Sequence, residues 1–580
     1  MLTAVTRMII RFHHVLIAGL LFPGSVAAAD EAPFFAPRVE RWGVQELTLR
    51  SPRTYGNPFA DVTIQARFRC QGTETTVDGF YDGDHSWKIR FMPERTGTCT
   101  FTTVSADPDL NGKSGSFVAD NPTRGNHGPV VVHNQYHFAY ADGTPYFPLG
   151  TTLYNWLNRG PDLEIRTLAT LSRNPFNKVR FLIFPKWMVF NRVEPRRFPY
   201  LQTTPGKFDL DRFDPEFFAH YEARIRDLQA LGIQADIILF HPYDKWGFAG
   251  MDPRHNDAYL KYVVARFAAF RNIWWTLANE FDVFRTQKDW RHLGELVARI
   301  DPYSHQRGIH NCCTAFYDNS EPWITHVILQ DITPQRRTPV ARDNSSIALD
   351  ARKIGKPVVV DEYGYEGNNG QAWGNMGPRE VVEEHWAITM AGAYASHGET
   401  YVNPGHLLWW SVGGELIGEA PARLGFLQKI MSESPYSEME PAPYAIITGN
   451  PLISALAKRD SYYLFHFAQT KEVADWNIGF FGPATPSQPQ LSLSKPAGPG
   501  VFKPAPIPEF RIGEGTFRVD MIDTWNMKVY FLGYTRGPVQ RFQPEIAPGL
   551  MRFVKVERAE PGKPIGSVSE LFNQFGAQPQ

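Results

Sequence analysis

The sequence predicts an α/β fold, a (β/α)8 TIM barrel flanked by an N-terminal β-sandwich and a C-terminal β domain. Strand-like and helix-like segments alternate from about residue 130 to 435, and strand patterns alone dominate before residue 122 and after residue 440. Two of the strand-like segments end in glutamates that lie 82 positions apart. Eight βα units in roughly 250 residues average about 31 residues each, so this gap fits three units of one barrel.

Composition and charge narrow the class of protein. The chain has 580 residues, of which 43% are hydrophobic and 21% charged, and its net charge is −1. These values are typical of a globular protein with several domains, and they give no basic surface for nucleic acid. Aromatic residues make up 14% of the chain, which is enough to line a sugar-binding cleft as well as to fill a core. We therefore expect no nucleic-acid partner.

Residues 1–29 have the layout of a signal peptide. Arg7 and Arg11 precede the apolar run Val15–Phe22, and Ala27–Ala29 offers a small-residue cleavage site. The run is shorter than the roughly 20 residues that span a bilayer, and no later segment of the mature chain is long and apolar enough. The pattern predicts export to the periplasm or the medium; an uncleaved anchor is the alternative.

Residues 36–122 are predicted to form the β-sandwich. Polar and apolar residues alternate in Val62–Phe68 and in Trp87–Phe91, and turn residues separate the alternating runs. Cys70 and Cys99 lie in neighbouring strand-like segments, a placement compatible with a disulfide in an exported domain.

Residues 130–435 are predicted to form the barrel. A helix precedes the third strand, with Asp214 as its cap, Pro215 at its first position and Gly232 after its end. The repeated βα order implies a parallel sheet with right-handed crossovers. The eight predicted strands are Tyr146–Thr151, Asn177–Phe184, Ile233–Phe240, Ile273–Leu277, Arg307–His310, Thr325–Leu329, Val358–Val360 and Leu407–Trp410.

Residues 440–580 are predicted to form the C-terminal β domain. Tyr462–Phe467 and Lys528–Leu532 are strand-like. Between them, residues 483–510 are rich in proline and serine and predict a long loop.

Glu280 and Glu362 are the predicted catalytic residues, because each follows a buried strand where an α/β barrel places its active site. Two carboxylates that share one cleft can cleave a glycosidic bond. Glu280, next to Asn279, is the expected acid/base, and Glu362 is the expected nucleophile. Asp361 is a rival for that role, but strand alternation predicts that it points away from Glu362.

Other predicted strand ends supply residues that could bind the sugar, although each could equally serve packing alone. Arg180 lies inside the second strand, and a buried arginine needs a carboxylate, so we expect it to orient Glu362 or Glu280. No HExxH or other compact metal motif is present, so we expect no catalytic metal and no cofactor. The sugar-binding candidates are Tyr154, Trp156, Arg180, His241, Tyr243, Asn279, His310, Trp409 and Trp410.

The barrel segments resemble the clan of retaining (β/α)8 glycoside hydrolases. Residues 36–540 resemble exported bacterial proteins with a DUF5060-type N-terminal domain, a DUF4038-like glycosidase barrel and a C-terminal β domain of the DUF5605 type. The segments that carry the resemblance are Phe240–Phe248, Trp274–Glu280, Ser304–Cys312 and His397–Tyr401. The resemblance implies the roles given above to the two glutamates. It also draws attention to Glu399, which we interpret as a barrel-rim or substrate-binding group.

The sequence therefore predicts an exported retaining glycoside hydrolase with a carbohydrate substrate. A carbohydrate-binding barrel that has lost catalysis is the main alternative. A protease is a third hypothesis, but the sequence contains neither a G-x-S-x-G elbow nor a zinc motif to support it.

Overall fold

The computed structural model describes residues 37–312, 315–330, 344–402, 408–447, 453–467, 509–541, 552–568 and 570–571. The predicted signal peptide and nearly all of the predicted loop at 483–510 lie outside these residues. None of the described helices combines the length and the apolar composition needed to cross a bilayer.

The N-terminal domain is a seven-stranded sheet in the order β1-β7-β6-β3-β4-β5-β2. The predicted alternation is confirmed in β3, where every second side chain is buried. Phe68 on β3 and Phe91 on β5 stack at 4.1 Å although β4 lies between their strands, so the sheet folds over one core as a sandwich does. The elements are β1 (Arg38–Glu40), β2 (Gln45–Arg50), α1 (Pro58–Asp61), β3 (Ile64–Cys70), β4 (Thr73–Tyr81), β5 (Ser86–Phe91), β6 (Gly97–Ser105) and β7 (Ser114–Asp120).

A disulfide joins Cys70 to Cys99 across two neighbouring strands of this domain. The two residues are direct partners in the pairing of β3 with β6, and their Cα atoms are 4.4 Å apart. The bond closes a loop of 29 positions in the unfolded chain, which reduces the entropy that folding must overcome.

The central region contains the barrel and short accessory strands. Its strands are β8 (Val130–His133), β9 (His137–Tyr140), β10 (Gly150–Thr152), β11 (Lys178–Leu182), β12 (Tyr200–Thr204), β13 (Lys207–Phe213), β14 (Gln234–Phe240), β15 (Ile273–Ala278), β16 (Gln306–Gly308), β17 (Val327–Gln330), β18 (Val358–Glu362), β19 (Glu366–Gly367), β20 (Tyr394–His397) and β21 (Glu399–Thr400). Its helices are α2 (Pro161–Leu171), α3 (Pro215–Ala230), α4 (Pro253–Phe267), α5 (Gln287–Ile300), α6 (Asn344–Arg352), α7 (Pro378–Met390), α8 (Trp409–Val412) and α9 (Ala420–Ser432).

Eight parallel strands form the barrel, as the sequence predicts. Their order is β16-β15-β14-β11-β10-β20-β18-β17, and every neighbouring pair is parallel. An isolated parallel bridge between His310 and Ile328 brings the two edges together. All strands therefore end on one face of the barrel, where the loops carry the side chains described below.

The prediction of the eighth strand is wrong. The structure places β20 between β10 and β18, whereas Trp409–Val412 is the short helix α8. β20 escapes a search for apolar runs because two of its four residues, Ser396 and His397, are polar although fully buried. The apolar segment at 408–412 is buried as a loop and helix against the barrel end instead.

The helix predicted before the third strand is confirmed as α3. The Asp214 carboxylate accepts a hydrogen bond from the Glu216 N–H at 3.0 Å, and Pro215 is the first helical residue. Gly232 follows the helix with a φ of +74°, a conformation that glycine adopts without strain.

The C-terminal domain is an antiparallel sheet in the order β22-β23-β24-β29-β26-β27, with β25 and β28 paired beside it. Both predicted strands of this region are present, as β24 and as the first part of β27. The strands are β22 (Glu440–Pro441), β23 (Ile453–Lys458), β24 (Tyr462–Phe467), β25 (Glu509–Arg511), β26 (Thr516–Asp523), β27 (Lys528–Arg536), β28 (Val539–Arg541) and β29 (Arg552–Arg558).

Candidate active site

Glu280 lies two residues beyond the end of β15, in a left-handed backbone conformation with a φ of +56°. A non-glycine residue held there is strained, and such strain is common at active sites. The Tyr243 hydroxyl donates to Oε2, and the Gln330 amide donates to Oε1 at 3.2 Å. Burial, followed by the nearby charge of Glu362, raises the pKa of Glu280. Its carboxyl group is therefore disposed to hold a proton.

Glu362 is the last residue of β18 and has a charged partner. The Arg180 guanidinium donates to Glu362 Oε1 at 2.8 Å, and the Tyr154 hydroxyl donates to the same oxygen. Arg180 also donates to Asn279 Oδ1 at 2.7 Å. The expected partnership of Arg180 with a catalytic carboxylate is thus present, and it is with Glu362.

Asp361 does not point away from Glu362 as strand alternation predicts. The pairing of β17 with β18 skips one residue, so that Leu329 pairs with Val360 but Gln330 pairs with Glu362. This bulge lets both acidic side chains face the barrel interior. Asp361 lies against Lys178 at 2.9 Å and close to Arg180, whereas Glu362 faces the mouth of the barrel.

Glu280 and Glu362 share one cleft. Nζ of Lys186 is 4.3 Å from the ring centroid of Tyr243, which binds Glu280. The same atom is 3.7 Å from the ring centroid of Tyr154, which binds Glu362. The two carboxyl groups are therefore linked through adjacent tyrosines on either side of one lysine. The expected carboxyl separation of about 5–5.5 Å stays a prediction.

Asn279 and His310 present unpaired polar atoms next to the glutamates. Among the residues that the structure describes, the buried side-chain nitrogen of Asn279 has no hydrogen-bond partner, although the side-chain oxygen accepts from Tyr154 at 3.0 Å. The His310 ring is fully buried, with Nε2 3.6 Å from Glu362 Oε1. Burial and then the nearby Arg180 charge lower the pKa of His310, so its imidazole is neutral. The Asn279 side-chain N–H groups can therefore donate to a sugar hydroxyl, since the described residues offer them no acceptor.

An aromatic wall leads away from Tyr154. The ring centroid of Tyr154 is 5.2 Å from that of Trp410. The Trp410 centroid is in turn 4.9 Å from the centroid of Trp373 and 5.8 Å from that of Tyr365. Trp373 is only partly buried, so the wall reaches the opening of the cleft. Rings in this arrangement can stack against the apolar faces of sugars.

Three predicted sugar-binding residues are engaged elsewhere. One His241 ring nitrogen donates to the Phe184 carbonyl at 3.0 Å and the other accepts from the Tyr243 N–H at 3.1 Å, which leaves neither for a ligand. Trp156 is fully buried in the main core, because a 3-10 turn directs it inward. Trp409 is also in that core, and its indole donates to Thr151 at 2.8 Å.

Glu399 is a buried rim residue that holds the segment before α9. Its carboxylate accepts the N–H groups of Ile417 and Gly418 at 2.9 and 2.8 Å. One carboxylate oxygen of Glu399, one of Glu366 and a ring nitrogen of His397 lie within 4.8 Å of one another, a grouping that could hold a metal ion. Glu366 likewise accepts two backbone N–H groups, from Glu419 and Ala420, so both carboxylates stabilise the start of α9.

Sequence reasoning missed three residues of the cleft. Gln330 directly follows the predicted sixth strand, so the strand-end rule would have found it. Tyr365 lies three residues beyond Glu362, and its ring centroid is 5.8 Å from that of Trp410. Lys186 lies two residues beyond the predicted second strand, but no charge pattern in the sequence distinguishes it from a surface lysine.

Two family models match this chain. Residues 38–106 match the domain of unknown function DUF5060, and residues 132–433 match the family described as "Apiosidase-like, catalytic domain". The expected resemblances to DUF4038 and DUF5605 stay predictions. A search among curated proteins found no significant match.

Three solved structures described as glycoside hydrolases are similar to this chain. A Bacteroides vulgatus protein described as a candidate glycoside hydrolase is 32% identical, with a TM-score of 0.74 over 90% of this chain and 100% of its own. A family 5 glycoside hydrolase from the same species is 16% identical, with a TM-score of 0.58 over 78% and 98%. A third structure, named only as a glycoside hydrolase, is 15% identical, with a TM-score of 0.53 over 75% and 98%. The last two matches show likeness of fold.

Proposed function

The chain belongs to the family of apiosidase-like catalytic domains and is a glycoside hydrolase, and we propose that it cleaves O-glycosidic bonds of an oligo- or polysaccharide with retention of configuration. The proposal rests above all on the unlike environments of two glutamates in one cleft. Glu362 lies against the Arg180 guanidinium, whereas the hydrogen-bond donors to Glu280 among the described residues are the neutral side chains of Tyr243 and Gln330. Retaining hydrolysis needs one ionised and one protonated carboxyl group, arranged in this way.

In the first half-reaction, a Glu362 oxygen attacks the anomeric carbon while the bond to the leaving oxygen breaks. Glu280 donates its proton to that oxygen and becomes ionised. The Asn279 amide is placed to bind the hydroxyl beside the reacting carbon. In the second half-reaction, Glu280 takes a proton from water, the water oxygen bonds to the anomeric carbon, and the ester to Glu362 breaks.

An aryl-glycoside panel tests the activity and identifies the sugar. The panel should include an aryl apioside, because the matching family is described as apiosidase-like. We expect hydrolysis of at least one member, with the first-formed anomer seen by proton NMR having the configuration of the substrate. The matched control is the double variant Glu280→Gln/Glu362→Gln. Binding of sugars without turnover by the wild-type protein would favour the carbohydrate-binding alternative.

Azide separates the roles of the two glutamates. In Glu280→Ala, an activated substrate should still form the glycosyl-enzyme, because a good leaving group needs little protonation, and azide should then yield a glycosyl azide of retained configuration. In Glu362→Ala, turnover should be lost, and azide should not restore a product of retained configuration. Equal losses on good and poor leaving groups in Glu280→Ala would contradict its role as the acid.

We also propose that the protein is exported. The signal-peptide pattern of residues 1–29 and the Cys70–Cys99 disulfide support this, since such bonds persist in oxidising compartments. N-terminal sequencing of the protein from a periplasmic or secreted fraction should begin near Asp30. A chain that keeps Met1 in the cytoplasm would refute export.

A further inference from the structure

Lys186 is a buried cation enclosed by aromatic rings. Its side chain is surrounded by the rings of Tyr154, Tyr243 and Trp410, at 3.7, 4.3 and 5.0 Å from Nζ. Among the residues that the structure describes, Nζ has neither a hydrogen-bond acceptor nor an ion-pair partner. Only 4% of the residue is exposed. Burying an ammonium group against aromatic rings costs free energy, which indicates that the charge has a function at this position.

The backbone of Lys186 is fixed by two buried amides. Its carbonyl accepts from the side chains of Asn155 and Asn191 at 2.7 and 2.5 Å. Its N–H donates to Asn155 Oδ1 at 2.9 Å. Both asparagines are almost fully buried. These backbone contacts fix the direction in which the Lys186 side chain extends into the cleft, as expected for a functional group that must be held in position.

The ion-pair network that ends at Glu362 balances only when Lys186 is counted. Its cations are Lys178 and Arg180, its anions are Asp236, Asp361 and Glu362, and Lys186 beside it adds the third positive charge. Three positive and three negative charges cancel if Glu280 is protonated. That is the protonation state from which the proposed reaction starts.

We propose that Lys186 is a positioning residue that holds the pair Glu280 and Glu362 at one negative charge through both half-reactions. This inference rests on the proposed function. As Glu362 forms its ester it loses its charge, and as Glu280 gives up its proton it gains one. The charge thus moves from the Tyr154 side of Lys186 to the Tyr243 side. An ammonium between the two rings stabilises either carboxylate, and its free N–H groups can also donate to the sugar.

The groups around Lys186 agree with this role. Burial lowers the pKa of Lys186 to about 8, while the charges of Glu280 and Glu362 act in the opposite direction. The ammonium is therefore charged at neutral pH. The other titratable and charged groups that face this site are Lys178, Arg180, Tyr154, His241, Tyr243, His310, Cys312, Asp361 and Tyr365.

The pH profile of kcat/KM tests the inference, measured with an activated aryl glycoside that the enzyme accepts. Lys186→Met keeps the length and apolar stem of the side chain but removes the charge. Its acid limb should move to higher pH by about one unit, because ionising Glu362 then leaves an excess negative charge in a buried site. Lys186→Arg keeps the positive charge, so its acid limb should lie within about a third of a pH unit of the wild-type position.

Lys245→Met is the matched control. Lys245 also lies over a tryptophan ring, 3.4 Å from the centroid of Trp187, but it is one third exposed and paired with Glu194 at 2.5 Å. Its acid limb should coincide with that of the wild type. Melting temperatures of all variants establish that they are folded.

An acid limb at the wild-type position in folded Lys186→Met would overturn this inference while the proposed function stands. If Glu280→Gln and Glu362→Gln keep wild-type turnover, the proposed function itself fails. A loss of activity in Lys186→Met with no movement of the limb would also count against charge balance, because it would indicate a purely structural role.

Discussion

Glu280 and Glu362 carry the same functional group, but the side chains around the two carboxyl groups differ in charge. Glu362 lies against Arg180 at 2.8 Å, while Glu280 receives hydrogen bonds from an amide and a phenol, which are neutral. Burial raises the pKa of Glu280 by more than the nearby charge of Lys186 lowers it, which favours the protonated form. At the scale of single residues, the roles are therefore set by which carboxylate receives the guanidinium.

The raised pKa of Glu280 predicts the basic limb of the activity profile. Glu280 is protonated below its raised pKa, so kcat/KM should fall as the pH rises through that value. In Glu280→Gln, assayed with an activated substrate, the basic limb should vanish or shift strongly. The control is Glu399→Gln, since burial also raises the pKa of Glu399. Glu399→Gln should keep the basic limb, and an unchanged limb in Glu280→Gln would mean that another group carries the proton.

At the scale of elements, the active site depends on where strands end and on one irregularity. The bulge in β18 turns Glu362 into the cleft beside Asp361, and the left-handed turn after β15 presents Glu280. The surrounding helices contribute stability rather than chemistry. Capping residues determine where these helices begin and end, and the effect of a cap on stability can be measured at a helix away from the active site.

Asp214→Ala should lower the free energy of unfolding by about 1 kcal/mol, because it removes the hydrogen bond that caps α3. Denaturant unfolding of the purified protein measures this difference. Asp162→Ala is the control, since Asp162 lies in the first turn of α2 but the cap position there is Gly160. That substitution should cost only a few tenths of a kcal/mol. Equal losses in the two variants would contradict a specific role for the cap.

At the scale of the whole molecule, a buried ionic network fastens the N-terminal domain to the barrel. Arg90 of β5 and Arg266 of α4 both bind Glu222 of α3, at 2.6 and 2.7 Å. Arg266 also reaches Asp82 of the N-terminal domain at 2.8 Å. Both arginines are almost fully buried. Glu222 is therefore the common anion of the domain contact.

Glu222→Ala should destabilise the protein by about 3 kcal/mol, because two buried guanidinium groups each lose a carboxylate partner, which leaves Arg266 with Asp82 and Arg90 with Glu46. Calorimetry or denaturant unfolding measures the loss. The control is Glu74→Ala, which breaks an exposed pair with Arg69 and should cost at most about 1 kcal/mol. Similar losses in the two variants would mean that the network contributes little.

Glu222 also predicts a direction for the pH dependence of stability. Burial alone would raise the pKa of Glu222, but Arg90 and Arg266 outweigh it and lower the pKa below the ordinary 4.5. A carboxyl group with a lowered folded-state pKa stabilises the fold above its ordinary value, and this contribution disappears as the pH falls through the lowered one. The difference in stability between wild type and Glu222→Ala should therefore shrink on acidification below about pH 4.

The sequence by itself determined the fold class, seven of the eight barrel strands, the cap of α3 and the position of Glu280 and Glu362 at strand ends. These features are local: apolar runs, alternation and capping residues act within a few positions of the chain, so that they are visible without coordinates. The placement of Glu280 and Glu362 at strand ends follows from the same rules, because parallel strands end on one face.

Only the tertiary structure decided which side chains reach the cleft. β20 escapes a search for apolar runs because its buried polar residues are satisfied by neighbouring strands, as Ser396 is by Asp361 of β18. Trp156 and Trp409 were assigned to the cleft but lie in the core, and Lys186 had no distinguishing pattern. Each of these outcomes depends on contacts between residues far apart in sequence, and on one skipped residue in the pairing of β17 with β18. Such contacts are set by packing in three dimensions, which periodicity along the chain does not encode.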